Sequence, residues 1–374
     1  KWVNMLKIRY SYGKTGNDNL GKNVRFPYLY SIGDGGTFNF ADISVGDKSW
    51  TGKYYSSIAS PNVSWEVSTK QDLGIDFSFL SDRLSGAIDY FYERREGIYM
   101  ERKSVPYEVG LESNPKANVG IVEAKGFDGH FAWKQKIGKV DFTLRGNMTY
   151  SKNKIIERDE ENTIYEYKLD QGHRVNQATG FIALGLFKDY EEIRNWPKQF
   201  GEVMPGDIKY KDINGDGVVN ESDQTIIGDT NPDFFFGFNN TFSYKRFELG
   251  VFVSGVIGGD IINTNFIMPR KLNGESNIPV FLYAEAWRGD GTSNTSRLIK
   301  SGNEDPKKFS RQYIEKRTYV RIKNINLSYN VNVKKMKGIS AMKMSLNAIN
   351  PFTFTKYRGY DPEVSANSSA LSRG

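Results

Sequence analysis

The chain has 374 residues, a formal net charge of +7, no cysteine and two histidines. Without cysteine it offers no disulfide and no thiolate metal site, and two histidines make a zinc site or a Ser-His-Asp triad improbable. Lysine and arginine are interleaved with aspartate and glutamate, so no basic block of the kind that binds nucleic acid stands out, and we expect no nucleic-acid partner.

Aromatic residues make up 14% of the chain, with 24 Phe and 22 Tyr, and such residues favour β-strands. No apolar run approaches the ~20 residues that a membrane-spanning helix needs. The first ten residues, KWVNMLKIRY, lack the pattern of a signal peptide. A membrane β-barrel escapes these criteria, because its signal is alternation and not bulk hydrophobicity.

Period-two alternation marks the predicted strands along the whole chain. In the first half the alternating segments are LKIRYSYG from Leu6, LGIDFSFL from Leu73, LSGAIDYFYE from Leu84, FDGHFAW from Phe127 and VDFTLRGNMTYS from Val140. In the second half they are FGFNNTFSY from Phe236, FELGVFVSG from Phe247, IKNINLSYNV from Ile322 and MKMSLNAI from Met342. We expect about eleven strands, with short helices only around residues 189–196 and 280–287.

The two faces of the predicted strands differ sharply in polarity. One face is apolar, and the other carries charged, amide and imidazole side chains such as Asp76, Asp89, His130, Arg145 and Asn147. A soluble sandwich would bury the apolar face, whereas an outer-membrane barrel turns it toward lipid. The barrel interpretation predicts that Leu73, Phe77 and Phe142 are exposed on the surface of the protein.

The connections between these strands alternate in length. Short turns are predicted at 81–83 and 245–246, and long connections at 99–120 and 259–318. Short turns at one end and long loops at the other are typical of a membrane barrel. The sequence therefore predicts an all-β fold, a membrane-spanning, antiparallel, up-and-down β-barrel.

A separate motif, YKDINGDGVVNESDQ, occupies residues 210–224. Its oxygen-bearing side chains have the spacing of an EF-hand calcium loop, with Gly217 at the sharp turn. The predicted metal ligands are the side chains of five residues and one backbone carbonyl, from Asp212, Asn214, Asp216, Asn220, Asp223 and, through its carbonyl, Val218. The last ligand is Asp instead of Glu, as in dockerin modules, and the preceding GDIKYK is not helical. We expect a structural calcium ion, and the alternative is a solvated turn rich in Asp and Asn.

The carboxylates of ERDEEN, residues 157–162, lie in a charged run that is typical of a solvated loop. A glycoside hydrolase needs two carboxylates held on rigid strands at a catalytic separation. No spacing in this sequence singles out such a pair, so we predict no catalytic residues and no enzymatic activity.

Five stretches, in a fixed order along the chain, resemble one family. They are SPNVSWEVSTKQDLGIDFSFLSDRLSGAIDYFYERREGIY, NVGIVEAKGFDGHFAWKQKIGKVDFTLRGNMTYSKNKI, MPGDIKYKDINGDGVVNESDQTIIGDTNPDFFFGFNNTFSYKRFELGVFVSG, TYVRIKNINLSYNV and NAINPFTFTKYRGYDPEV. Together they resemble SusC/RagA-type TonB-dependent outer-membrane transporters of Bacteroidetes over nearly all of residues 1–374. The resemblance implies the C-terminal half of a barrel of about 22 strands, with its closing strand missing and the N-terminal plug and signal segments absent.

The resemblance also implies a function and partners. The chain would be barrel wall of a TonB-dependent importer of oligosaccharides or peptides, in the outer membrane of a Gram-negative bacterium. Residues 205–233 would form an extracellular loop that carries the calcium-like motif. The implied partners are a SusD-type surface lipoprotein, TonB acting through the missing N-terminal region, and outer-membrane lipid. The alternative is a secreted, calcium-stabilised, β-rich module that binds carbohydrate or a cell surface.

Overall fold

The structure is a computed structural model that describes residues 2–21, 26–40, 48–111, 113–262, 271–272, 280–293, 299–300, 309–333, 338–359 and 361–363. The strands in this part of the chain are β1 (Val3–Asn17), β2 (Ser31–Phe40), β3 (Lys48–Ser57), β4 (Glu66–Phe79), β5 (Leu84–Glu101), β6 (Lys116–Ile137), β7 (Val140–Glu157), β8 (Gln177–Phe181), β9 (Ala183–Leu186), β10 (Ile208–Tyr210), β11 (Gln224–Asp229), β12 (Pro232–Tyr244), β13 (Phe247–Gly258), β14 (Asp260–Ile262), β15 (Lys271–Leu272), β16 (Ile299–Lys300), β17 (Ile314–Lys316), β18 (Tyr319–Asn330) and β19 (Lys343–Thr355).

Helices are short and few in the described ranges. The α-helices are α1 (Tyr190–Arg194) and α2 (Val280–Glu285), and the 3-10 helices are Tyr107–Val109, Glu166–Lys168, Glu221–Asp223 and Arg311–Tyr313. Both α-helices fall inside the predicted helical segments and are shorter than expected. Asp189 caps α1 by accepting a hydrogen bond from the Glu192 amide at 2.8 Å. Among the described residues, no helix has both the length and the apolarity needed to cross a membrane.

One nine-stranded sheet dominates the fold, in the order β1-β4-β5-β6-β7-β12-β13-β18-β19. Every pair of neighbours is antiparallel, which confirms the predicted up-and-down meander. The remaining strands pair with one another in two-stranded units within the long connections. The sheet does not close on itself in the described part of the chain, so the fold is a partial barrel with β1 and β19 at its edges.

The backbone register assigns the side chains to two faces. Ile8, Ile75 and Ile88 are directly opposite one another on one face, called the apolar face below. In the next row Arg9 is opposite Gly74, which is opposite Asp89, on the other face, called the polar face. Residues opposite in neighbouring strands share a face, so the predicted segregation of polarity is confirmed.

The three apolar residues that were predicted to be exposed differ in their exposure. Leu73 is 48% exposed, as predicted. Phe77 and Phe142 are only half-buried, so the prediction of exposure was wrong for them, although both are on the apolar face. The reason is ring packing within that face, because Phe77 stacks on Phe79 at 5.5 Å and Phe142 meets Phe242 at 4.8 Å between centroids.

The tight turns and the long connections lie at opposite ends of the sheet. The turns that join β4 to β5, β6 to β7 and β12 to β13 are short, and they use positive φ angles, such as 61° at Gly138 and 53° at Lys245. Such angles match the twist of the strands that a tight hairpin joins. The connections that follow β1, β5, β7 and β13 are long and leave from the other end.

The main cluster of buried apolar side chains is in these long connections and not on the sheet. It consists of Phe181, Ile208, Tyr210, Val219 and Tyr313, all at most 6% exposed. Two connections meet there, because Tyr313 belongs to the segment between β13 and β18 and the other four belong to the segment between β7 and β12. The Phe181 amide also donates to the Phe309 carbonyl at 3.0 Å. This cluster, called the loop core below, was not predicted from the sequence.

Candidate functional site

The polar face carries an ion-pair network that joins β1, β4 and β5. The Arg9 guanidinium donates to both Asp76 oxygens, at 3.0 and 2.9 Å, and to Asp89 Oδ1 at 2.7 Å. Arg9 faces Gly74 in the register, and a glycine there leaves room for the guanidinium, since an added Cβ would lie 2.7 Å from Arg9 Nη2. The predicted polar-face residues Asp76 and Asp89 are therefore held by Arg9, whose role was not predicted from the sequence.

A second polar-face cluster lies nearer to the long loops. Glu93 Oε1 accepts from the Ser68 hydroxyl at 2.6 Å and from Arg95 at 3.2 Å. Glu93 and Arg95 border a cavity of about 530 Å³ that is also lined by Met100 and Ile155. The cavity combines opposite charges with aliphatic walls, which suits an amphipathic small molecule or a segment of a polymer.

A third cluster ties the segment 361–363 to β18 and β19. Arg321, only 5% exposed, donates to Thr353 Oγ1 and to Asp361 Oδ1, both at 2.8 Å, and pairs with Glu363 at 2.9 Å. Partial burial raises the pKa of Glu363, but hydrogen bonds from Lys323 and Tyr319 outweigh it, and the net pKa lies below the usual value. Glu363 is therefore ionised at neutral pH and holds the segment by charge.

The first half of the calcium-like loop is wrapped around Asp212. Asp212 Oδ1 accepts from the Gly215 amide at 2.7 Å, and Oδ2 accepts from the Gly217 amide at 2.9 Å. Both glycines have positive φ angles, 75° and 84°, which other residues adopt at a cost. Asp216 accepts from the Val218 amide at 2.8 Å. These bonds bend the chain as an Asx-rich turn does.

The second half of the loop is centred on Asp223, which is fully buried. Its Oδ1 accepts from the Ile213 amide at 2.7 Å and its Oδ2 from the Asn220 amide at 2.8 Å. Asn220 Oδ1 accepts from the Ser222 amide at 2.8 Å, so Asn220 and Asp223 cap the 3-10 helix Glu221–Asp223 from both sides. The predicted last ligand thus closes the loop through backbone amides.

The six predicted metal ligands lie in one loop but differ in their surroundings. Asn214, Asp216 and Val218 are exposed, Asp212 and Asn220 are half-buried, and Asp223 is buried. Within the described residues, no three carboxylate or imidazole groups gather in a way that would hold a metal ion. All six donors are oxygens, the type that calcium prefers, and each carboxylate oxygen that accepts one amide keeps a second lone pair.

The calcium-like loop is anchored to the loop core by its neighbours. Val219, 3% exposed, belongs to the loop core, and its amide donates to the Lys198 carbonyl at 2.7 Å. Nearby, Lys209 Nζ bonds Glu192 at 2.7 Å. Desolvation raises the pKa of Glu192, but the bonds from Lys209 and the Lys188 amide outweigh it and lower the pKa overall. The loop is thus part of a packed unit.

An open antiparallel sheet with an apolar outer face, a charged inner face and long loops at one end is the wall of an outer-membrane β-barrel. A family model described as TonB dependent receptor-like, beta-barrel, matches residues 2–350, and the chain belongs to this family. The predicted membership and the outer-membrane location in a Gram-negative bacterium are thereby confirmed.

Curated relatives belong to the same class of receptor. TonB-dependent receptor P3 of Formosa agariphila is 28% identical over 384 residues, which cover 97% of this chain and 36% of the relative. TonB-dependent receptor SusC of Bacteroides thetaiotaomicron is 24% identical over 98% of this chain and 36% of its own length. A solved structure of the RagAB peptide transporter superposes with a TM-score of 0.72 at 20% identity, which shows a shared fold. The chain therefore spans little more than a third of these relatives.

Proposed function

We propose that this chain forms part of the wall of a TonB-dependent importer that moves nutrients across the outer membrane. The observation that carries the proposal is the segregation of the sheet into an apolar face and a polar face with fixed charges. In a barrel the polar face lines the lumen, and a hydrated, charged lumen is a path for polar cargo. The proposed function is the gating and translocation of cargo, without cleavage of a covalent bond.

The cargo we propose is an oligosaccharide or a peptide. One similar structure is described as a peptide transporter, which supports the peptide class, and the oligosaccharide class rests on the resemblance to the SusC/RagA family. The cavity beside Glu93 and Arg95 offers both charges and the aliphatic walls of Met100 and Ile155. This lining supports the peptide class, because a peptide presents charged ends and apolar side chains together.

Two adjacent positions on β7 test the orientation of the wall. Asn147 is exposed on the polar face, and Met148 is 36% exposed on the apolar face. This chain contains no cysteine, so single cysteines can be placed in the full-length transporter once any others are removed. We expect a water-soluble maleimide to label Asn147→Cys and to spare Met148→Cys.

The same pair of variants tests import. Bulky labelling of Asn147→Cys should slow uptake of a labelled peptide or oligosaccharide, and labelling of Met148→Cys with a membrane-soluble reagent should not. Equal labelling of both cysteines by the soluble reagent would contradict the barrel orientation. Normal uptake after complete labelling at Asn147 would contradict a luminal route along β7.

We also propose that a SusD-type lipoprotein covers the long loops and that TonB acts through a region outside this chain. The loop core supports the first partner, since it packs two long connections into one unit at the end of the sheet that we assign to the cell exterior. Co-purification of the lipoprotein with the full-length transporter tests this. An Ile208→Ala variant, which loosens the loop core, should retain less lipoprotein at an unchanged level of transporter in the membrane.

For the calcium-like loop we propose a structural calcium ion. The ligands would be the side chains of Asp212, Asn214, Asp216, Asn220 and Asp223 and the carbonyl of Val218. Two positive-φ glycines and an all-oxygen donor set support the proposal. A bound ion would offset the repulsion of three carboxylates and reduce the freedom of the loop. Calorimetric titration of chelator-treated full-length transporter should show calcium binding that is lost in Asp212→Ala.

A further inference from the structure

A row of aromatic side chains crosses the apolar face toward the end with long loops. Tyr90, Phe127 and Tyr150 are opposite one another on β5, β6 and β7, and the first two rings are 5.1 Å apart. A lipid-facing band about 25 Å tall takes about ten residues of a strand tilted by about 40°. Counted from Leu84, at the tight-turn end of β5, such a band ends near Arg94. The aromatic row, at Tyr90, therefore lies four residues inside the extracellular boundary, or about 10 Å along the membrane normal.

The positions directly beyond this aromatic row are basic. Lys125 on β6 is opposite Lys152 on β7, and Lys154 lies one row farther out on the same face. All three side chains are exposed. Like charges placed opposite each other on neighbouring strands repel and destabilise the pair. Long lysine side chains at this level reach the headgroup region while their stems stay on the apolar surface.

Nearby carboxylates do not neutralise these lysines. Glu123 is bound by Arg94 at 2.6 Å, and Arg94 also binds Glu96 at 2.7 Å. Lys152 comes no nearer than 3.9 Å to Asp233, a carboxylate that Arg174 already binds at 2.6 Å. In the described part of the chain, Lys125 and Lys154 form no ion pair. The outward surface formed by Lys125, Lys152 and Lys154, called the basic rim, therefore keeps an excess of positive charge.

We propose that the basic rim binds the phosphate groups of an anionic lipid in the outer leaflet of the membrane. A phosphate placed between Lys125 and Lys152 would replace their repulsion by two charge-assisted contacts. The rim faces away from the lumen, because Gly126 and Asn153 beside it belong to the polar face, so imported cargo does not reach it. This inference rests on the outer-membrane orientation given under the proposed function.

The test uses the full-length transporter extracted from outer membranes and a triple variant, Lys125→Gln with Lys152→Gln and Lys154→Gln. The matched control is Lys134→Gln with Lys136→Gln and Lys139→Gln, which removes the same charge from the tight-turn end of β6 and its turn. Native mass spectrometry counts the phosphorylated lipid that stays bound. A lysine near an anionic surface contributes about 1 kcal/mol, or about fivefold in affinity. We expect at least a tenfold loss of bound lipid in the rim variant and no loss in the control.

Three results would overturn the proposal. The first is equal lipid retention by the wild type and the rim variant. The second is that the wild type retains the lipid equally well after enzymatic removal of its phosphates. The third is that inorganic phosphate alone raises the melting temperature of the wild type as much as the lipid does. Uptake of cargo is measured in parallel, and the rim variant should import normally in cells. Loss of lipid binding with normal import supports the rim, whereas a failure of import in the wild type would contradict the proposed function and leave the lipid result standing.

Discussion

The buried arginine on β18 gives the sharpest stability prediction. Arg321 is 6% exposed at its side chain, while its partners Asp361 and Glu363 are 33% and 26% exposed. Removing one partner of a fully buried ion pair costs about 3–5 kcal/mol. Because the two carboxylates here keep part of their water, we expect Arg321→Met to cost about 2–3 kcal/mol, most of it in the attachment of the segment 361–363.

Two variants distinguish the contribution of the guanidinium geometry to stability from that of positive charge alone. Arg321→Lys keeps the charge but loses the planar fork that serves Thr353 and Asp361 together, so it should fall between the wild type and Arg321→Met. Lys343→Gln is the control; Lys343 lies on the neighbouring strand β19, opposite Asn330 at the other end of β18. Its pair with Glu248 is 3.4 Å long and about half exposed on both sides, so its loss should cost at most about 0.5 kcal/mol.

The measurement is urea unfolding of the full-length transporter in detergent, followed by heat-modifiable migration on gels and by tryptophan fluorescence. Limited proteolysis reports the local part of the effect, since release of residues 361–363 should speed cleavage there before the barrel unfolds. A double-mutant cycle of Arg321→Met with Glu363→Gln should give a coupling of about 1–2 kcal/mol. A loss of stability in Arg321→Met no larger than that in Lys343→Gln, or an unchanged rate of cleavage, would contradict the proposed role of Arg321.

Three further perturbations address the loops of the full-length transporter. Ile208→Ala, in the loop core at 1% exposure, should cost about 2–4 kcal/mol of loop stability, seen as faster hydrogen exchange at residues 177–229 with the sheet unchanged. The pKa of Glu192 is lowered in the folded state, so its bond to Lys209 stabilises above the ordinary value of 4.5 and is lost as pH falls below it; Glu192→Gln should flatten the pH dependence of exchange at α1. Chelation of calcium should lower the temperature at which the loop opens, and Asp212→Ala should abolish this response.

The strands of the sheet were predictable because their information is local. Alternation in segments such as LGIDFSFL assigns each side chain to a face without reference to any partner strand. The tight turns were equally local, and the predicted helices appear as α1 and α2. The calcium-like motif is also contiguous, so all its candidate ligands were named in advance, although the complete burial of Asp223 was not.

The loop core and the ion-pair clusters were not predictable in the same way. Phe181 and Tyr313 lie in different connections, and neither segment contains a hydrophobic periodicity or a motif that predicts their contact. The alternation pattern assigns Arg321 only to the polar face of a strand. Its carboxylate partners Asp361 and Glu363 follow β19 in a segment without alternation. Such contacts depend on which loops the strand order of the sheet brings together, a property of topology that local sequence patterns do not encode.

The open sheet leaves backbone hydrogen-bonding groups unpaired along both of its edges. β1 and β19 are both edge strands in the described part of the chain, with exposed apolar residues such as Ile8 and Leu346 at 70% and 72%. Each backbone amide or carbonyl left unpaired in hydrocarbon costs several kcal/mol. Edge strands of 15 and 13 residues present alternate groups outward, so the cost adds to tens of kcal/mol, far beyond the usual stability of a domain. Further strands must therefore pair with both edges in the membrane, and only after that closure does the polar face become the lining of a lumen.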